Sequence, residues 1–458
     1  MESLDIKWIR SQFPALTQTI NGQPAIFFDG PGGTQVPGAV LDNINDYLVR
    51  CNANAHGYFT TSARTDAVIN SARAAIADFL GCDHDEVVFG ANMTTLTFSV
   101  SRAIGRELQP GDEIIVTKLD HAANISPWVA LEEKGVNIQF VDIKISDCTL
   151  DFSDLETKIN EKTKLVAVTY ASNAVGTIND ITKIVKLAHA VGALVFVDAV
   201  HYAPHAPINV HHLNCDFLAC SAYKFFAPHV GILYAKREHL TKFSPYKVRP
   251  ATNEIPSKWE TGTLNHEGLA GLVATINYLA KLGCHVSPTL DNELLDSLIA
   301  ADREGLTTFH CPRFLTSKEQ PNYELTSAYH SRRAALLAAM SAIQQYEREL
   351  SKKLISGLLA IPDVTVYGIT EPSKFNWRTP TVSITIEGKK SADVAKMLGE
   401  KGIFTWHGNF YAVELTEKLG LESSGGLLRI GLAHYNTVEE IEQLLQAMSG
   451  NIRASDQE

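Results

Sequence analysis

Two apolar runs in this chain end in groups that could do chemistry together. Val195-Phe-Val-Asp198-Ala-Val-His201 closes on a carboxylate, and Cys220-Ser221-Ala-Tyr223-Lys224 supplies an amine 26 residues after it. If both runs are strands of a parallel sheet, Asp198 and Lys224 emerge at the same C-terminal edge, where α/β folds bind ligands. A buried carboxylate is costly unless a cation answers it. A desolvated lysine is the natural imine-forming amine. The two suit pyridoxal 5'-phosphate, with the lysine as covalent anchor and the aspartate keeping the ring nitrogen protonated so that it draws electrons. An ordinary α/β ion pair satisfies the same spacing, and on these two runs alone both readings stand.

Other chemistries find little support. The chain has no GxxxxGK[ST] loop and no HExxH, and Asp29-Gly-Pro-Gly-Gly-Thr34 lacks the third glycine of a dinucleotide loop. His201-Tyr-Ala-Pro-His205, with His211 and His212, resembles a metal cluster. Pro204 forbids the continuous helix that would put His201 and His205 on one face, so no metal site is expected.

The elements that must position Asp198 and Lys224 follow from the surrounding pattern. Between about 65 and 282, helical stretches alternate with short β-branched runs, as in βαβ units. The helices Asp66–Leu80 and Ile181–Val191 are each closed by a glycine. Strands are expected at Glu86–Phe89, Asp112–Thr117, Leu165–Thr169, Leu194–Val197 and Phe217–Cys220. Several are apolar without alternation, the mark of a parallel sheet covered on both faces. The fold class expected is α/β, a large domain (26–283) around a mostly parallel sheet plus a smaller α+β domain (329–458). An arm over residues 1–25 is expected to pack with the small domain, and 284–328 reads as an excursion. In the small domain a helix is expected over Ala328–Leu359, strands at Val364–Tyr367, Thr381–Ile386 and Gly426–Ile430, and helices at Ser391–Lys401 and Thr437–Met448, the last opened by a capping box.

Composition bounds the function. In 458 residues, 40 basic against 51 acidic side chains give a net charge of −11, which argues against nucleic acid or an anionic membrane as main partner. No run of about eighteen uninterrupted apolar residues suggests a spanning helix, and the N-terminal residues do not read as a secretory signal. Seven scattered cysteines, without a CxxC pair, read as reduced thiols and a cytoplasmic location. The last is Cys311, so 312–458 holds none.

From about Ala25 onward the chain resembles the cysteine-desulfurase-like branch of the class V aminotransferases, fold-type I pyridoxal-phosphate enzymes. Seven segments carry the resemblance in order: Val88-Phe-Gly-Ala-Asn-Met-Thr94, Asp120-His-Ala-Ala-Asn-Ile-Ser-Pro-Trp128, Ser172-Asn-Ala-Val-Gly-Thr177, Val197-Asp-Ala-Val-His201, Ser221-Ala-Tyr-Lys224, Trp259-Glu-Thr-Gly-Thr-Leu-Asn265 and Arg429-Ile-Gly-Leu-Ala-His-Tyr-Asn-Thr437. The resemblance implies the following roles. Lys224 is the Schiff-base lysine and later the proton shuttle at the substrate α-carbon. Asp198 pairs with the pyridine nitrogen, His121 stacks on the ring, and Asn173 and His201 bond its oxygen, although desulfurases usually carry glutamine where His201 stands. The phosphate rests at the helix start after Asn92, on Thr94 and the backbone N–H groups there, Met93 among them. Ser221 and Tyr223 complete the cradle, Tyr223 replacing a usual histidine. Thr263 reaches the phosphate of a neighbouring subunit, which implies a homodimer with shared active sites. Arg429 grips the substrate carboxylate.

The departures fall on the substrate side. Desulfurases take up sulfur on a loop cysteine that follows an arginine. Here the loop reads Gly402-Ile-Phe-Thr-Trp406-His-Gly-Asn-Phe-Tyr411, with Trp406 at the arginine's place and Tyr411 at the cysteine's. A phenol cannot accept sulfane sulfur as a thiolate does. A histidine–arginine pair of desulfurases is also altered, to Ala55-His56-Gly-Tyr58. Trp406, His407, Asn409 and Tyr411 are expected to shape the pocket for an amino-acid substrate. The expectation is a pyridoxal-phosphate enzyme with carbon–sulfur or other β-lyase chemistry and no persulfide-forming cysteine. Transamination and epimerisation are the alternatives, and a non-catalytic cofactor- or partner-binding protein is the rival from another class.

Overall fold

The computed structural model describes residues 4–287, six positions between 290 and 300, and 323–454, with no side-chain description at 323–330 and 450–454. Seven strands form the large sheet: β1 (Val87–Gly90), β2 (Glu113–Thr117), β3 (Asn137–Val141), β4 (Thr163–Thr169), β5 (Leu194–Asp198), β6 (Phe217–Ser221) and β7 (Gly231–Ala235). Their spatial order is β1-β7-β6-β5-β4-β2-β3, and only β7 runs antiparallel to its neighbours. Successive side chains point to opposite faces, so Val195 and Val197 enter one core while Phe196 enters the other. Both faces are covered, which is why these strands read as unbroken apolar runs.

Helix α1 (Thr60–Leu80) begins before the expected Asp66 and ends on Gly81 in the left-handed conformation. Helix α2 (Met93–Ile104) follows β1 directly. Helix α3 (His266–Val286) is long and apolar enough to cross a membrane by composition, but 89% of that stretch is buried inside the fold. It runs past the expected domain end at 283. A Cβ built on Gly283 would lie 1.9 Å from the carbonyl oxygen of Ala335, so its lack of a side chain lets α3 and the next helix touch backbone to backbone.

That next helix, α4 (Tyr323–Leu359), already holds the last residues of the expected excursion, whose central part lies outside the described residues. The expected boundary at 328/329 does not mark a change of core. Ala335, Leu336, Ala339, Met340 and Ile343 of α4 pack into the large sheet's core, while Leu350, Leu354, Ile355 and Leu358 pack into the small one. One apolar stripe therefore serves two bodies. The small sheet contains β8 (Val364–Tyr367), β9 (Thr381–Ile386), β10 (Trp406–Gly408) and β11 (Leu427–Gly431), in the antiparallel order β8-β9-β11-β10.

The N-terminal arm likewise belongs to both parts and not to the small domain alone. Ile9 and Phe13 are fully buried in the large core, with Phe13 edge-on to Tyr278 at 5.4 Å. Arg10 meanwhile donates to Glu440 at 2.8 Å and to the Tyr435 carbonyl at 2.7 Å.

Candidate active site

A cavity of about 470 Å³ opens at the C-terminal edge of the large sheet, facing the small sheet. Topology explains what lines it. Asp198 ends β5, Ser221 ends β6 and leads into Lys224, and Thr169 ends β4. His121 lies just after β2, and Met93 and Thr94 open α2 after β1. Of the residues singled out in the sequence, Met93, Thr94, His121, Asn173, Asp198, His201, Ser221, Tyr223, Lys224, Trp406, Asn409 and Arg429 all line this one cavity. Thr263 does not. It lines a second hollow with His56, Asp66, Arg73 and Glu260, where the buried Arg73–Glu260 pair (2.7 Å) fixes its segment.

The cavity's electrostatics follow from burial. Desolvation, aided by the nearby Arg429 charge and opposed by Asp198, lowers Lys224 to about 7, far toward the neutral amine compared with a surface lysine. Its Nζ donates to the Pro31 carbonyl. Burial raises Asp198 to about 6, and its carboxylate accepts from the Val200 N–H at 2.9 Å. Burial, then the Lys224 and Arg429 charges, push His121 down to about 4, so the imidazole is neutral. Its Nδ1 accepts from the Ala123 N–H at 3.0 Å, which leaves the proton on Nε2.

His201 is also neutral, held well below its usual range by burial and neighbouring cations. Thr379 Oγ1 contacts the Gly176 carbonyl at 3.3 Å and His201 Nε2 at 3.2 Å. The hydroxyl has one proton, and a carbonyl can only accept, so His201 Nε2 donates to Thr379. Only Nδ1 is left for a ligand. The Asn173 amide is similarly engaged, donating to the Phe410 carbonyl at 2.9 Å while its own Oδ1 is buried without a partner.

The small sheet supplies the facing wall. Arg429 is buried; desolvation, opposed mainly by Asp29, lowers it to about 9. It donates to the Asn173 carbonyl at 2.9 Å and sits 4.1 Å from the Phe410 ring centroid, while its Nε has no partner. Trp406 is the direct cross-strand partner of Arg429, so both project from the same face. A Cβ on Gly32 would fall 2.3 Å from the Trp406 Nε1, so the indole packs on bare backbone there. Phe410 and Tyr411 both hold positive φ (56° and 60°), a conformation that side chains beyond Cβ disfavour. The large domain pins them there: besides the Asn173 bond to Phe410, the Ala122 N–H donates to the Tyr411 carbonyl at 2.7 Å.

Sequence reasoning missed Asp29, Pro31, Thr379 and Phe410. Asp29 is a partly buried acid raised to about 6 by desolvation, its Oδ1 buried and unpaired, beside Arg429. Its segment was noticeable only as an imperfect glycine loop. In the supposed metal motif His201 and His205 remain neighbours, with ring centroids 5.3 Å apart, but each ring is engaged elsewhere: His201 Nε2 with Thr379 and His205 Nδ1 with Glu347 at 2.8 Å, while His211 pairs with Glu86 at 3.2 Å.

The residues present fit pyridoxal 5'-phosphate. Asn92 caps the Thr95 N–H of α2 at 2.9 Å, which leaves the first helical N–H groups and the positive helix end to an anion. Gly231 lets that helix start lie on the sheet, since a Cβ there would be 2.4 Å from the Asn92 carbonyl carbon. Asp198 is a desolvated carboxylate that a cation would lower, and Lys224 is an amine already lowered toward its reactive form. The fold and this site define a two-domain pyridoxal-phosphate enzyme acting on amino acids.

Comparison with known proteins gives the family. The Aminotransferase class-V family model matches residues 26–328 and 331–444, and the chain belongs to that family. It is 33% identical to the "Aminotransferase-like protein FGM3" of Gibberella zeae, over 97% of this chain and 98% of that one. A "Probable cysteine desulfurase" of Synechocystis sp. is 31% identical over 97% and 95%. Among solved structures, the apo cysteine desulfurase of Thermococcus onnurineus NA1 superposes with a TM-score of 0.80 at 26% identity, covering 99% of both chains.

Proposed function

We propose that this enzyme removes the α-proton of an amino acid and cleaves a bond at its Cβ, carbon–sulfur foremost, without holding sulfur on a cysteine of its own. One observation carries the reading: the loop at the cavity mouth presents Tyr411, and no described cysteine lines the cavity that gathers Lys224, Asp198 and Arg429. Pyridoxal 5'-phosphate, when bound, supplies the electron sink that makes the α-proton acidic. The chain's residues do the rest. Arg429, desolvated and with one N–H unpaired, binds the substrate carboxylate. Lys224, near pH 7, takes the proton from the α-carbon. Asp198 would keep the ring nitrogen protonated, and neutral His121 would cover the ring without adding charge.

Product analysis tests this. With S-substituted cysteines we expect pyruvate, ammonium and free thiol in equal amounts. Alanine plus sulfane sulfur from cysteine would establish a desulfurase instead, and strict dependence on an added 2-oxo acid an aminotransferase. A homodimer belongs to the same reading, supported by the position of Thr263 outside its own chain's cavity. A cytoplasmic location is supported by the free thiols of Cys51, Cys82, Cys148, Cys215 and Cys220.

A further inference from the structure

The substrate's side chain can be read from what stands opposite Arg429. The carboxylate grip and Trp406 are cross-strand partners on one face of the small sheet, where directly opposed residues lie roughly 5 Å apart at Cβ. A molecule whose carboxylate is on Arg429 therefore has its next few atoms beside the indole. The indole is fixed, because it packs on the side-chain-free backbone of Gly32. Tyr411 lines the same cavity, its ring centroid 5.4 Å from that of His121, and its backbone is clamped by the Ala122 N–H. Both rings face solvent: Trp406 is 51% exposed and Tyr411 70%. Holding two large aromatic rings half or more in water, one on a strained left-handed backbone, forgoes much of the burial energy they could give. An apolar group entering between them would recover it.

Resting on the reading above, we propose that the substrate is an amino acid whose Cβ carries a thioether bearing an aromatic or bulky apolar group, seated between Trp406 and Tyr411. The overall step balances as R–S–CH2–CH(NH3+)–COO− plus water giving R–SH, pyruvate and ammonium. The C–S bond breaks with its electron pair leaving on sulfur, sulfur gains a proton, and water hydrolyses the resulting enamine's imine form; no oxidant or reductant is needed. Unsubstituted cysteine would leave both rings in water and is the poor substrate on this account.

The test separates the pocket's preference from the chemistry. Calorimetric titration of the cofactor-loaded enzyme with L-alanine, L-leucine and L-phenylalanine, which lack a leaving group, measures side-chain recognition alone. We expect phenylalanine to bind roughly 10- to 100-fold tighter than alanine, as the burial of one aromatic ring gives. In Trp406→Ala that ratio falls toward one, and Trp406→Phe restores most of it; Tyr411→Ala lowers it in part. Cofactor absorbance and circular dichroism of each variant check that the fold is kept. Equal affinity of wild type for alanine and phenylalanine, or a Trp406→Ala ratio unchanged from wild type, overturns the inference. If the ratio holds but S-benzyl-cysteine yields no pyruvate, the substrate-pocket inference loses its thioether and the elimination reading falls, while aromatic recognition stands.

Discussion

The two walls of the cavity are built differently. On the large-sheet side, Asp198, Ser221 and Lys224 sit at or just beyond the ends of strands buried on both faces. Their positions follow from main-chain ladders that leave little freedom: Asp198 is in register with Thr169 on one side and Ala219 on the other. On the small-sheet side, β10 is three residues long, its Trp406 is half in water, and the loop after it holds two consecutive left-handed residues. The first wall suits chemistry that tolerates no displacement. The second suits recognition, where loop residues can change without disturbing the sheet.

The sharpest way to break this contrast is at Lys224. Lys224→Ala is expected to abolish turnover, by roughly 10³-fold or more, since it removes both the cofactor's anchor and the proton-transfer group. Steady-state kinetics measures it, and undiminished activity would refute the assignment. Substitutions of Tyr411 should change which substrate is used far more than how fast the best one reacts.

The walls must also be held against each other, and Glu347 marks where that happens. It lies on α4 between the residues that serve the large core and those that serve the small one, and pairs with His205 while its Oε1 has no partner. Burial holds its carboxyl above the usual range, opposed by His205. Glu347→Ala leaves the imidazole of His205 buried and unanswered, with an expected loss of about 3 kcal/mol. Glu347→Gln, which keeps an acceptor for His205, should cost less. Urea denaturation of the variants measures both. Equal stability of Glu347→Ala and wild type would show that the pair does not hold the helix.

Arg429 tests the contrast from the other side, because it comes from the small sheet yet is as buried as the large sheet's residues. Arg429→Met keeps the apolar stem over Phe410 and removes the charge. A loss of about 2–3 kcal/mol, roughly 100-fold in kcat/KM, is expected with amino acids. Binding of the corresponding amines, which carry no carboxylate, should change little; an equal loss for both would show that Arg429 acts structurally.

How far the sequence reveals this molecule follows the same division. The strands ending at Asp198 and Ser221 were legible because fully buried strands leave unbroken apolar runs. Strand β7 escaped notice since Gly231 and the preceding turn hide its start, and β3 because its exposed Asn137 and partly buried neighbours blur the pattern. The domain end expected at 283 falls inside α3, because a glycine that serves close helix packing leaves no mark in sequence to tell it from one that ends an element. The opposition of Trp406 and Arg429 was not legible at all. It is a cross-strand register between segments some twenty residues apart, set by how β10 folds back on β11, and no local pattern encodes it.

The smallest effect, and the one that probes the large-sheet wall most directly, is the titration of Lys224 in the cofactor-free protein. Desolvation lowers it to about 7, with Arg429 lowering it further and Asp198 raising it. An amine reacts as its free base, so labelling of Lys224 by an amine-selective reagent should rise with pH through about 7, well below the pH at which surface lysines react. The neighbours fix the sign of each shift. Arg429→Met removes a like charge and should move the midpoint up; Asp198→Asn removes the opposing one and should move it down. Peptide mapping after labelling across the pH range reads both. If the two variants shift it in the same direction, burial alone controls the amine and the charges on the two walls are not coupled through it.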